Sequence, residues 1–164
     1  MVFPRDSDSN LYEIAADPSG FLLSWYDGRE SSGLPTLVGA QPHIYAARVS
    51  NSGVVETPTG LALSRGEPDW GGGHIRSAFN GQNYLLAWHK LTLSPTVVYG
   101  PDLTLPSKIE GRRVSPAGEI IDEAPFAISA LPAGDLSTVD IVLSNGNGFF
   151  VAWVGKTNAT VGPV

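Results

Sequence analysis

Apolar residues fall in short runs broken by Gly, Pro, Asn and Asp, and no stretch recurs at the 3.6-residue period of a helix. The runs read as strands. Three short ones, residues 11–16, 75–79 and 140–144, each lead into a turn and a second strand that ends on a tryptophan: Trp25, Trp88 or Trp153. Asn80-Gly81 and Asn145-Gly146 predict hairpins, because both residue types tolerate the positive φ of tight turns. Third strands are expected at 44–50 and 109–115, closed by Asn51-Ser-Gly53 and Pro116-Ala-Gly118, and fourth strands lead to Ser64 and Ser129.

The strands belong to a repeat. Residues 17–25 (DPSGFLLSW), 80–88 (NGQNYLLAW) and 145–153 (NGNGFFVAW) align without gaps, as do 44–55 (IYAARVSNSGVV) and 109–120 (IEGRRVSPAGEI). Ile44 to Trp88 and Ile109 to Trp153 are both 44 positions, so the unit is about 65 residues long. Units run approximately 10–65, 73–130 and 137–164, the last incomplete, within one domain spanning 1–164. Arg48 and Arg113 each follow their Ile by four residues and share its strand face.

Composition narrows the class. Gly (19) and Pro (13) make up about a fifth of the chain against a typical share of roughly 12%, and only 16% of residues are charged. Both figures exclude a helical bundle, while 42% hydrophobic residues exclude a disordered tail. The expected fold is all-β and β-propeller-like, about two and a half four-stranded antiparallel blades, with a β-sandwich or a solenoid as the alternatives. Two and a half blades cannot close a ring. The open ends are therefore expected to pair with the remainder of a larger chain or with a second copy in a homo-oligomer.

A net charge of −6 and a pI near 4.9 speak against nucleic acid or an anionic membrane surface as partner. No apolar run approaches the length of a membrane span, so no membrane insertion is expected. The absence of cysteine removes disulfides, thiolate nucleophiles and Cys-ligated metal sites.

The aromatic-Leu-Leu/Val-Ala/Ser-Trp segment, followed by Ile-Tyr/Glu-Ala/Gly-Ala/Arg-Arg-Val-Ser-x-x-Gly, resembles tandem repeats of large secreted bacterial proteins. The resemblance implies propeller-like or sialidase-like β structure and an extracellular or cell-surface bacterial setting. It carries no single activity. The turn at Asp17–Trp25 also resembles the Asp-box of sialidase-type propellers, although the Ser-x-Asp-x-Gly start of that motif is missing and two of the three copies have Asn.

Candidate chemistry is sparse. Trp25, Trp88 and Trp153 hold identical repeat positions, which assigns them to packing between units. Trp70 lies outside the repeat on a Gly-rich loop, where a ring can stack on a sugar or a peptide. Arg29, Arg48 and Arg113 could bind a carboxylate bidentately, as the sialidase resemblance implies, or pair with nearby carboxylates such as Asp27 and Asp122. Asp6, Asp8, Asn10 and Asp17 have oxygen spacing reminiscent of a calcium loop, but Leu11 stands where such a loop has Gly. His43, His74 and His89 show no metal spacing, and no Gly-x-Ser-x-Gly elbow is present. The leading expectation is a non-enzymatic repeat module with no cofactor that serves as a surface scaffold or binds a glycan or protein. The rival is a fragment of a sialidase-like glycoside hydrolase.

Overall fold

The computed structural model describes residues 12–27, 43–64, 74–90, 106–131 and 138–155, and within them the chain is all-β. Ten strands follow in chain order: β1 (Tyr12–Asp17), β2 (Gly20–Asp27), β3 (His43–Ser50), β4 (Leu61–Ala62), β5 (Arg76–Phe79), β6 (Tyr84–Lys90), β7 (Ser107–Val114), β8 (Phe126–Leu131), β9 (Thr138–Ser144) and β10 (Phe149–Val154). They form two four-stranded sheets, β1-β2-β3-β4 and β5-β6-β7-β8, and a two-stranded sheet, β10-β9. Every pairing is antiparallel between chain neighbours.

The strands match the sequence pattern, with revised ends. β2 and β6 run two residues past their tryptophans, to Asp27 and Lys90. β4 is shorter than expected: Leu63 N–H still donates to Ile44 O at 2.7 Å, but at Ser64 the contacts run through side chains. Ser64 Oγ accepts the Ile44 N–H at 2.8 Å, and Ser64 O accepts the His43 ring N–H at 2.8 Å.

Two parts of the backbone are built alike. Gly53 N–H donates to Ser50 O and Gly118 N–H to Ser115 O, both 2.9 Å, with φ of +81° and +79°. Arg48 N–H donates to Thr57 Oγ1, and 65 positions later Arg113 N–H donates to Asp122 Oδ2. Isolated bridges follow at Val49–Val55 and Val114–Ile120.

The hairpin turns work differently from the expectation that Asn and Gly would share positive φ. Among the described residues only glycines have positive φ, Gly81 and Gly146 at +89°. Asn80 contributes its side chain instead: Oδ1 accepts the Gln82 and Asn83 N–H groups. Asn145 Oδ1 does the same for Asn147 and Gly148, and Asp17 Oδ1 for Ser19 and Gly20. A short side-chain acceptor is therefore what the position requires, which Asp and Asn both satisfy.

The sheets pack face to face in succession, with β5–β8 in the middle. One core lies between it and β1–β4, built around Leu22, Ile44, Tyr84, Leu86 and Trp88. A second lies between it and β9–β10, with Leu85, Ile109, Val139 and Val142 buried and Trp153 packed against them. The far face of β1–β4 carries a third, small cluster of Trp25, Tyr45 and Ala47, in which the two rings stack at 6.3 Å.

Candidate functional site

The most elaborate polar arrangement sits in the seam between the first two sheets. Arg48 projects from β3 on the face of Ile44, and Asp17 ends β1. Arg48 Nη2 lies 2.9 Å from Asp17 Oδ2, with the two side chains 2% and 1% exposed. Tyr84, at the start of β6 in the neighbouring sheet, donates its hydroxyl to the same Asp17 oxygen. The guanidinium is otherwise saturated by Pro116 O, Phe21 O, Val49 O and Ser19 Oγ at 2.7–2.9 Å. Pro116 also belongs to the second sheet, so Arg48 ties the two sheets together in addition to pairing within its own.

Electrostatics follow from that geometry. Burial opposes the charged form of Asp17, but hydrogen bonds from Tyr84 and Ser19 and the charge of Arg48 outweigh it and hold the carboxyl below its usual range. Burial and the bond to Asp17 push the Tyr84 hydroxyl well above the usual phenol range.

A second arginine crosses the seam in the opposite direction. Arg112, on β7, donates to Leu63 O at 2.7 Å beside β4, and to Asp122 O and Glu123 O at 3.0 and 2.8 Å. It is 8% exposed and is held by backbone carbonyls. Its repeat counterpart is Ala47, so periodicity gave no reason to single it out. Tyr84 left a fainter trace, as a tyrosine where the other two copies have Phe21 and Phe149.

The residues expected from the sequence do not gather at one place. Arg113 pairs with Asp122 at 2.6 Å as proposed, but its side chain is 44% exposed. Arg48 and Arg113 thus serve separate carboxylates. Trp88 is fully buried against the first sheet, and Trp25 donates its indole N–H to Asp27 Oδ2 at 2.9 Å. Asp17 has both oxygens committed within the protein. Trp70, Arg29, Asp6, Asp8 and Asn10 lie outside the described residues. Among the described residues no three His, Asp or Glu side chains cluster as metal ligands. His89 is buried with Nε2 2.8 Å from Ser107 Oγ, and His43 is half-buried.

The described surface carries two exposed apolar areas. A shallow cleft of about 540 Å³ at the β9–β10 turn is lined by Leu143, Asn145, Asn147, Phe149 and Phe150 among others. Leu143 and Phe150 are 56% and 63% exposed there. At the opposite end of the stack, Tyr12, Ile14 and Phe21 on the first sheet are 50%, 62% and 41% exposed. The chain matches no family model, and comparison with curated proteins and with solved structures finds no match.

Proposed function

We propose that this chain is a non-enzymatic β-propeller-type repeat module, a cell-surface or extracellular scaffold that recognises protein through its apolar sheet faces. One observation carries the reading. Among the described residues, the buried charges Arg48, Asp17 and Arg112 are spent on joining one sheet to the next, and Glu110 is paired with Lys108 and Lys90. Successive face-packed antiparallel sheets with first strands β1, β5 and β9 side by side support the propeller architecture: Glu13 on β1 accepts the Ser77 N–H of β5, and Arg76 on β5 donates to Asp140 O of β9. A glycan is the second ligand class, favoured by the cleft where Phe150 stands exposed beside Asn145 and Asn147.

The sialidase-like reading needs arginines converging on one anion site, whereas Arg48 and Arg113 each hold a separate carboxylate. Hydrolysis of a fluorogenic sialoside and a panel of fluorogenic glycosides tests the choice. The scaffold reading expects no turnover above buffer. Turnover that disappears in Arg113→Ala, with the fold retained, would overturn it.

A further inference from the structure

We propose that the exposed face of β9–β10 docks on the exposed face of β1–β2 of a second copy, head to tail, so that two chains close one ring. The proposal rests on the propeller reading above. It begins from positions that the strand register makes equivalent. On one face, Ala15 and Leu22 pair across β1–β2, Ala78 and Leu85 across β5–β6, and Leu143 and Phe150 across β9–β10. Where another sheet follows, these positions are covered: Leu22 is 1% exposed and Leu85 4%. At β9–β10, Leu143 and Phe150 lie bare.

The opposite face shows the complementary pattern. Tyr84, Leu86 and Trp88 are fully buried against the preceding sheet; on the same face of the first sheet Trp25 is buried in its own cluster with Tyr45, whereas Phe21 and Ile14 are exposed. The bare parts of the two faces, Ile14 and Phe21 on one and Leu143 and Phe150 on the other, are thus the unused halves of an interface that the chain already makes twice. Such a contact is heterologous and has to close or polymerise.

Two details identify the chain's own first sheet as the occupant. The seam between the first two sheets places Asp17 against the Tyr84 hydroxyl. In the next seam the same two positions are Asn80 and Phe149, an uncharged turn cap facing a ring without a hydroxyl. A head-to-tail contact would set Asn145 against Phe21, the same matched combination. Along the first strands, Glu13 reaches the Ser77 N–H across the seam, and its equivalent in β9, Ile141, is apolar and 45% exposed. It would meet Ile14, the counterpart of Ser77, so an apolar pair replaces a polar one. Closed propellers have roughly four to eight blades. Counted over the described residues, two copies supply six sheets, whereas one supplies three and three supply nine.

Light scattering on the full chain at tens of micromolar tests this, with Ile14→Glu and Phe150→Arg as variants at positions already exposed in one copy. The wild type is expected at about 35 kDa, twice the chain's 17.3 kDa, with each variant alone at 17.3 kDa and the mixed variants returning to about 35 kDa. Recovery on mixing is specific to a head-to-tail contact, since each variant keeps the face that the other lacks. A monomeric wild type, or a dimer that survives either substitution, overturns the proposal. Hydrogen exchange on the monomeric species separates the two failures. Protected β6 amides would leave the propeller reading standing, and unprotected ones would remove it as well.

Discussion

Replacing Asp17 by Asn tests whether the inter-sheet arrangement around Arg48 stabilises the protein as its geometry implies. Asn keeps the Oδ1 that caps the turn but leaves the Arg48 charge only the exposed Glu56 carboxylate, 3.9 Å from Nε, as counter-ion. Breaking a buried ion pair by removing one partner costs about 3–5 kcal/mol. Arg48 retains four other acceptors, which places the expected loss at the lower end, about 3 kcal/mol. The control is Asp122→Asn. Arg113 is 44% exposed, so water replaces much of that interaction and the expected loss is about 0.5–1 kcal/mol.

Acidification adds an independent check. The folded state holds the Asp17 carboxyl below its unfolded value of roughly 3.9, so the stabilisation is fully present above that pH and is lost as pH falls through the lower, folded value. The gap between wild type and Asp17→Asn should therefore be full at pH 7 and narrow in strongly acidic buffer. Urea unfolding followed by tryptophan fluorescence reads both quantities. Equal losses for the two variants, or a gap indifferent to pH, would refute the reasoning.

Three further outcomes follow from other contacts. Gly20→Ala should cost at least the upper end of about 1–3 kcal/mol in the same urea assay, because its Cβ would fall against Val49 O and Arg48 Nη1 and 2.9 Å from Ser50 Cα. Arg112→Lys should lose about 2 kcal/mol, since one ammonium cannot span the Leu63, Asp122 and Glu123 carbonyls that a guanidinium fork reaches together. Adding EDTA should leave the melting midpoint unchanged, because Asp17 is committed to the turn, Arg48 and Tyr84; a chelator-dependent fall would restore the calcium loop.

Strand order and turn positions were readable because they depend on neighbours in the chain. Short apolar runs, Asn-Gly and Ser-x-x-Gly turns, and the spacing of three tryptophans suffice to place ten strands within a few residues. The partnership of Arg113 with Asp122 was equally legible, being nine residues apart across one turn. Tyr84 and Arg112 were not. Their partners Asp17 and Leu63 are 67 and 49 residues away, and no local rule connects them.

Arg48 and Arg113 mark the division most sharply. Each stands in an Arg-Val-Ser segment, four residues after an Ile, and each donates its backbone N–H to a side chain nine residues on. Sequence alone determined that equivalence, because strand phase and turn chemistry are local. Only the tertiary structure decided that Arg48 is buried and Arg113 is not. The turn carrying Pro116 lies over the first, whereas among the described residues no such turn lies over the second, and the strength of an ion pair depends on the solvent it displaces.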